Sequence, residues 1–240
     1  MLQLLVDAGN TSVKYQAIDG SQKLIWKENW LPELSTSKLI FPENITKIWL
    51  STVRKGIDFP LPHNIPIQRI SLQGNYPFVL DYLTPGTLGE DRICIATALK
   101  TMISIEESAL VVSAGTCITY NVMKPGYVFC GGAISPGIRM RYQALSAFTG
   151  NLPNLAPVPE IEFPGKSTED SLHAGVLLGV KYEVLGILNH LENSFPQGCK
   201  IMFTGGDADR LAVMTKSLNF VYTDLVLRGL SYWAERYPFS

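Results

Sequence analysis

LLVDAGNTSVKYQ, at residues 4–16, has a shorter second copy, LVVSAGTCITY, at residues 110–120. In each copy an apolar strand runs into a turn of small residues and then into a second β-type run. Glycine in such a turn lets the backbone approach a ligand closely, and the amide and hydroxyl groups beside it can donate to phosphate oxygens. The repeat therefore predicts a duplicated fold with two facing hairpins that can hold a polyphosphate.

The composition is that of a globular protein. The chain has 240 residues, of which 46% are hydrophobic and 17% are charged, so it can bury one large or two modest cores. A net charge of −1 gives no electrostatic reason to expect binding to nucleic acid or to a membrane surface. No stretch approaches the roughly 18 uninterrupted apolar residues of a membrane span. We therefore expect small-molecule partners, with no nucleic acid and no membrane.

The cysteines and histidines do not form a reactive or metal-binding pattern. Cys94, Cys117, Cys130 and Cys199 lie far apart without a CxxC pair, which is typical of buried thiols in a reducing cytoplasm. The three histidines are not spaced as metal ligands either. These patterns argue against zinc chemistry and against a histidine-based triad, and they favour a cytoplasmic location.

The order of strand and helix patterns divides the chain into two α/β halves, residues 1–106 and 107–240. Strands are predicted at 2–7, 13–18, 23–29, 47–53, 66–72, 110–115, 119–123, 127–134 and 200–206. Helices are predicted from about Glu90 to 102, after the turn at 135–137, over 169–193 with Ser167 or Thr168 as N-cap, after Asp207, and over 224–237. A meander that opens each half and then alternates with helices favours mixed sheets. The apolar helix over 169–193 can form either core or a dimer interface.

The first turn carries the densest set of polar groups. Asp7 ends the strand, and Asn10, Thr11 and Ser12 follow Gly9. Asp7 can orient a metal-bound water on a phosphate. The structural alternative is a tight hairpin in which Asp and Asn side chains bond to their own backbone. The second copy favours phosphate binding, because turn chemistry alone does not explain two such turns at matched places.

A second motif, LGEDR at residues 88–92, begins the predicted helix. An acid in a first helical turn is stabilised by the helix dipole, so a structural role for Asp91 stays open. A carboxylate beside Arg92, with Gly89 keeping the approach open, also suits a general base next to a cationic clamp.

Six ordered motifs carry a resemblance to one known family. They are DxGNT near the N-terminus, YxxPxxLGxDR (82–92), GTxxTY (115–120), GGAIxPG (131–137), GKST (165–168) and TGGD (204–207). Together they resemble type III pantothenate kinases over nearly the whole chain. The resemblance implies an α/β fold of two duplicated ribonuclease-H-like lobes, as in actin-like ATPases, with mixed sheets and flanking helices. It also implies ATP-dependent phosphorylation of pantothenate, the first step of coenzyme A synthesis, by a cytoplasmic homodimer.

The resemblance further implies roles for particular residues. Asp91 would be the catalytic base that accepts the proton of the substrate hydroxyl. ATP, bound with Mg²⁺, would be contacted by Asp7, Ala8, Gly9, Asn10, Thr11, Ser12, Val13, Lys14, Thr116, Gly205 and Gly206. Pantothenate would be contacted by Tyr82, Gly89, Glu90, Asp91 and Arg92, and by Thr168 from the neighbouring protomer. Each site would then be shared across the dimer.

Two positions depart from the family pattern. Ser113 stands at the metal position where the family has an aspartate associated with K⁺ or NH₄⁺, and Asn121 replaces a second common aspartate. A neutral hydroxyl lacks the full charge, so the family's monovalent cation does not carry over directly. Two alternatives stay open: another small-molecule kinase of the same superfamily, and a catalytically reduced nucleotide-binding regulatory protein. The intact Asp7, Asp91 and Arg92 favour catalysis.

Overall fold

The computed structural model describes residues 1–33, 38–70, 75–195, 197–215 and 220–236. These residues form two compact units. The first unit contains the described residues of 1–106 together with 123–130 and 224–236, and the second contains those of 107–122 and 131–223. Each unit is built on a β-sheet with helices beside it.

The sheet of the first unit has the order β3-β2-β1-β4-β5. Its strands are β1 (Leu2–Ala8), β2 (Val13–Asp19), β3 (Leu24–Trp30), β4 (Ile45–Thr52) and β5 (Ile67–Arg69). The first three strands form the predicted antiparallel meander, whereas β4 runs parallel to both β1 and β5. Leu4, Val6 and Ala8 share one core cluster while Leu5 is buried outside it, so β1 is covered on both faces.

Two helices, α1 (Glu90–Met102) and α5 (Leu225–Arg236), pack against each other and contact the central strands of this sheet. A β-carbon on Gly229 of α5 would clash with the backbone of Cys94 in α1, so glycine permits this close approach. Trp233 Nε1 donates to Thr97 Oγ1 across the same contact, at 3.2 Å. The last helix therefore belongs to the first unit, which corrects the division into 1–106 and 107–240.

The first unit also takes a short segment from the middle of the chain. Val79 and Leu80 form strand β6 and pair in parallel with Val128 and Phe129. The segment 123–130 is therefore grouped with the first unit and not with the predicted second half.

The sheet of the second unit repeats the arrangement of the first. Its six strands lie in the order β11-β10-β7-β8-β9-β6, in which β6 is an added edge strand. The other five are β7 (Ala109–Ala114), β8 (Cys117–Lys124), β9 (Val128–Pro136), β10 (Lys200–Thr204) and β11 (Phe220–Val221). The fourth of these strands in sequence runs parallel to the first and to the fifth, as β4 does in the first sheet. The matched order confirms the duplication predicted from the two copies of the motif.

Three helices accompany the second sheet: α2 (Ile138–Ala147), α3 (Thr168–Ser194) and α4 (Ala208–Thr215). Ser167 is the N-cap of α3, because its Oγ accepts the N–H of Asp170 at 3.1 Å. Over Thr168–Leu191 this helix is long and apolar enough to cross a membrane by length and composition alone. The same composition is expected of a core helix, and Val180 and Val184 lie in the core of this unit.

The remaining differences from the predicted elements concern short segments. Strands β6 and β11 have two residues each and a 3-10 helix spans Pro85–Thr87, lengths at which no sequence period can be recognised. The strand predicted to reach 206 ends at Thr204, because Gly205 has a φ of 96°. Residues 71 and 72 of a predicted strand, and residue 237 of the last helix, lie outside the described residues.

Candidate active site

The turn between β1 and β2 is held by the residues that follow β4. Val53 N donates to the carbonyl oxygen of Ala8 at 3.3 Å. Arg54 donates from Nε to the carbonyl oxygen of Gly9 at 2.8 Å and from Nη2 to that of Asn10 at 3.0 Å. Three successive carbonyl groups of the predicted phosphate turn are therefore bound by one neighbouring segment.

Asp7 lies next to an ammonium group and near a second carboxylate. It pairs with Lys14 across β1 and β2 and with Ser51 across β1 and β4. Burial raises the pKa of Asp7 to about 6, against the opposing effect of Lys14 and with a smaller upward contribution from Asp91. The two carboxylates are thus close enough to repel each other, and a cation placed beside them would relieve that repulsion.

The donor chemistry fits a magnesium ion that is bound together with phosphate. Within the described ranges, no group of three or more His, Cys, Asp and Glu side chains could hold a metal by itself. Mg²⁺ is usually bound by one or two carboxylates plus substrate phosphates and waters. The nearby carboxylates of Asp7 and Asp91 match that requirement.

Asp91 lies in the first turn of α1. Burial raises its pKa, while the backbone N–H of Arg92, the Arg92 guanidinium and its own backbone N–H lower it. A β-carbon on Gly89 would clash with Asp91 Oδ1, so the carboxylate bends back over the glycine. A side chain at position 89 would therefore displace the Asp91 carboxylate from this orientation.

Glu90 has a role that its place in the motif did not predict. Its side chain is only 5% exposed, and its Oε2 accepts the N–H of Thr52 at 2.9 Å. Its Oε1 accepts from Arg69 Nε at 3.0 Å and Nη2 at 2.7 Å. Because both carboxylate oxygens are used internally, Glu90 anchors α1 to the end of β4, and its contact with pantothenate stays a prediction.

Arg92 is a buried cation between two aromatic rings. Its side chain is 4% exposed, and its guanidinium lies 6.0 Å from the ring centre of Tyr82 and 5.8 Å from that of Phe129. The fold thus brings Tyr82 and Arg92 together beside Asp91. A cation fixed in this way can orient a polar or anionic substrate.

The second turn, between β7 and β8, is held by the starts of two helices. Gly137, the N-cap of α2, donates its N–H to the carbonyl oxygen of Thr116 at 3.0 Å. Asp207, just before α4, donates its N–H to the carbonyl oxygen of Ala114 at 3.1 Å. The backbone of this turn therefore lies against two helix N-termini, which favour negative charge nearby.

The two glycines predicted on the adenosine side differ in what they do. A β-carbon on Gly205 would clash with the backbone of Ala114, and its positive φ also favours glycine. Gly206 is exposed and a β-carbon there would meet no atom. Gly205 is needed to hold the turn, whereas Gly206 leaves open space beside it.

Asn121 is matched to its position as a hydrogen-bond donor. It is fully buried, and its Nδ2 donates to the carbonyl oxygen of Val111 at 3.3 Å and to Thr119 Oγ1 at 3.1 Å. An ionised aspartate has no N–H to donate, so it would lose the bond to the carbonyl oxygen of Val111. Ser113 lies in β7 opposite Thr204 and is half-buried.

Thr168 lies at the exposed start of α3, which also exposes one of its faces. Along that face are Gly175, Gly179 and Gly186, each exposed, with Tyr182 63% exposed. A β-carbon on Gly175 or on Gly186 would meet no atom of the chain. The core of this unit therefore does not explain these glycines.

The chain is similar over most of its length to known proteins. The family described as Type III pantothenate kinase matches residues 3–190. A protein named Type III pantothenate kinase from Christiangramia forsetii is 34% identical, with 98% of both chains covered. Another so named, from Cytophaga hutchinsonii, is 32% identical, with 96% of this chain and 97% of that one covered.

Solved structures share the fold. A Campylobacter jejuni protein named as a conserved Baf family transcriptional activator has a TM-score of 0.63 at 23% identity, with 98% of both chains covered. An activator of 2-hydroxyisocaproyl-CoA dehydratase from Clostridium difficile, with bound ADPNP, has a TM-score of 0.55 at 12% identity, with 98% and 95% covered. These likenesses confirm the predicted duplicated α/β fold.

Removing the charge of Asp7 is expected to stabilise the ligand-free protein. The folded state raises the pKa of Asp7 to about 6, so it keeps the proton over a pH range in which the unfolded chain has lost it. Stability therefore falls as the pH rises from about 4 to about 6 and stays low above. We expect Asp7→Asn to gain about 1–2 kcal/mol near pH 8, after allowance for partial exposure, and less near pH 4.5.

Thermal unfolding at the two pH values, without nucleotide or Mg²⁺, measures this difference. Asp19→Asn is the matched control with the opposite sign, because hydrogen bonds from Ser21 and Lys23 lower the pKa of Asp19. A melting temperature of Asp7→Asn at or below that of the wild type near pH 8 would contradict the expected effect.

Proposed function

The chain belongs to the type III pantothenate kinase family, and from this premise we propose which of its residues carry out the reaction. The enzyme transfers a phosphoryl group from ATP to pantothenate, giving 4′-phosphopantothenate and ADP in the first step of coenzyme A biosynthesis. Because the full-length relatives share this function, the two alternative functions are set aside. The residue assignment rests on the place of Asp7 at the end of β1 before the first turn, and on the electrostatic interaction of Asp91 with it.

We assign the ATP phosphates to the first turn. Its main-chain N–H groups and hydroxyls donate to phosphate oxygens, and Lys14 offsets their charge. Asp7 would hold Mg²⁺ through its water ligands, and the ion would supply positive charge beside the phosphoryl group that is transferred. Thr116 contributes a further phosphate contact, and Gly205 and Gly206 leave space for the nucleoside.

Asp91 is the proposed general base. A primary hydroxyl is too weakly acidic to lose its proton beforehand, so the proton passes to the Asp91 carboxylate as the hydroxyl oxygen attacks phosphorus. The new O–P bond forms as the bond to the β-phosphate oxygen breaks, and ADP leaves. Arg92 stays protonated and orients pantothenate together with Tyr82, while Gly89 keeps the approach to Asp91 open.

The proposed assembly is a homodimer with α3 at the interface. Its exposed glycines would allow another helix to approach closely, and Thr168 at its start would reach the pantothenate of the neighbouring protomer. We place the enzyme in the cytoplasm, where ATP is available and where its four cysteines, all described as free thiols, stay reduced. Its partners would be small molecules and a second copy of the chain, without nucleic acid or membrane.

Replacing the proposed base should stop catalysis without affecting nucleotide binding. We expect Asp91→Asn to lower kcat by at least about 100-fold, because an amide cannot accept the hydroxyl proton. ATP binding, measured by calorimetry, should stay close to that of the wild type, and the melting temperature should not fall below it. Asp209→Asn is the control, because Asp209 is an exposed acid in the first turn of α4. Turnover of Asp91→Asn near the wild-type rate would rule out the assignment.

Mixed dimers test whether the site is shared. Alone, Asp91→Asn is inactive, and Thr168→Ala is expected to raise the KM for pantothenate about tenfold by removing a hydrogen bond to substrate. Coexpressed with different tags and purified as a mixed dimer, the two variants combine an intact Asp91 with an intact Thr168 in one site. The low KM should return in that dimer.

The control for the mixed dimer pairs Thr168→Ala with the double variant Asp91→Asn, Thr168→Ala, in which no site has both residues. Recovery in this control, failure of the tagged chains to copurify, or a mixed dimer that behaves as the sum of its parts would each refute the shared site.

Ser113 leads us to propose that the enzyme does not need K⁺ or NH₄⁺. Without a carboxylate at this position, no negative charge remains there for a monovalent cation to offset. We expect equal turnover in K⁺ and in tetramethylammonium at matched ionic strength. Ser113→Asp should lose activity in tetramethylammonium and regain it in K⁺. Strong stimulation of the wild type by K⁺ would overturn the proposal.

A further inference from the structure

We propose that Arg54 is a positioning residue for the phosphate turn, in which it orients the peptide groups between Gly9 and Thr11. The inference rests on the proposed function, since it takes that turn as the site of the ATP phosphates. Arg54 lies outside every motif that identifies the turn, and it acts from the side away from the nucleotide.

The contacts of Arg54 engage all three nitrogens of its guanidinium. Nε donates to the carbonyl oxygen of Gly9 at 2.8 Å, and Nη2 donates to that of Asn10 at 3.0 Å. Nη1 forms an ion pair with Asp58 Oδ1 at 2.8 Å, and the guanidinium lies 5.9 Å from the ring centre of Phe59. The side chain is only 10% exposed, so it is held in one orientation.

Because peptide groups are planar, these contacts also fix the direction in which the next N–H groups point. A trans peptide group is planar, and its C=O and N–H point in opposite directions. When Arg54 holds the carbonyl of Gly9, the N–H of Asn10 must point away from Arg54. When it holds the carbonyl of Asn10, the N–H of Thr11 must do the same. Two successive N–H groups that point to one side form a concave site for an anion.

The chemistry of arginine suits this role better than that of lysine. A guanidinium presents several donors in a rigid plane, whereas an ammonium is a point charge on a flexible stem. One planar group can therefore fix two neighbouring carbonyls together. Asp58 offsets the positive charge on the outer side and keeps the plane in place. Arg54 needs no contact with ATP to exert this effect.

The same segment also connects to the helix that carries the base. The N–H of Arg54 is donated to Thr52 Oγ1 at 3.1 Å, and the N–H of Thr52 is donated to Glu90. A merely structural loss at Arg54 would therefore disturb the pantothenate side as well as the turn. A positioning role predicts a selective effect on the nucleotide, and this difference makes the two roles separable.

The test compares both substrates in Arg54→Ala and Arg54→Lys. We expect the KM for ATP to rise about tenfold or more in each variant. The loss of hydrogen bonds to a charged group weakens binding by about this factor. The KM for pantothenate should stay near the wild-type value. Millimolar guanidinium should restore the ATP KM of Arg54→Ala, but not that of Arg54→Lys, in which the ammonium occupies the space.

Arg228→Ala is the matched control. Like Arg54, Arg228 pairs with an aspartate four positions away, Asp224, but it lies on α5. It should change neither KM. Binding of a non-hydrolysable ATP analogue, measured by calorimetry, reports on Arg54→Lys even if Arg54→Ala does not fold.

Each result of this test either supports or contradicts the positioning role of Arg54. An unchanged ATP KM, an equal rise of both KM values, or no rescue by guanidinium would show that Arg54 does not position the turn. A wild-type enzyme without pantothenate kinase activity would refute the proposed function, while analogue binding by the Arg54 variants would still test the inference.

Discussion

The buried carboxylate of Glu90 is the interaction on which the arrangement of the first unit depends. It accepts the N–H of Thr52 at the end of β4 and pairs with Arg69, and the next residue in α1 is Asp91. The residues after Thr52 hold the carbonyls of the phosphate turn. The end of β4 therefore sets the position of both the proposed base and the proposed phosphate turn. Removing a partner would leave Glu90 charged and buried, which is among the costlier defects a protein can carry.

The carboxylates of Asp7 and Asp91 are not fully balanced by positive charges of the chain. Burial raises the pKa of both Asp7 and Asp91, and their charges oppose each other. Ionising both acids at neutral pH therefore lowers the stability of the ligand-free protein, and Lys14 and Arg92 offset this only in part. In the proposed mechanism, a divalent cation bound together with the nucleotide would supply positive charge beside these carboxylates. The charged groups that serve binding thus lower the stability of the ligand-free protein, as is common at functional sites.

The parts of the fold and of the site that neighbouring residues decide could be predicted from the sequence. Long strands, long helices and the turn at Asp7 follow from residue patterns, because each is decided by neighbouring residues. Contacts between distant segments do not follow. Nothing near Gly229 indicates that α5 packs on α1, and Arg54 reaches the turn from more than forty residues away. Glu90 shows a different limit of the sequence. An acid in a first helical turn has the same sequence pattern whether it binds substrate or anchors the helix.

The two copies of the turn differ in how they can bind an anion. The first has a carboxylate, Asp7, which pairs with Lys14 across β1 and β2 and which we propose to hold Mg²⁺. The second has Ser113 at the matched place, and its backbone lies against the N-termini of α2 and α4. Helix N-termini carry partial positive charge and attract phosphate to this turn, whereas the carboxylate of Asp207, whose N–H is donated to the carbonyl oxygen of Ala114, opposes it in part. Ser113 adds no carboxylate that a cation at this position would offset. The neutral Ser113 and the donor Asn121 are therefore consistent with each other, and together they support the proposal that this turn binds phosphate without K⁺ or NH₄⁺.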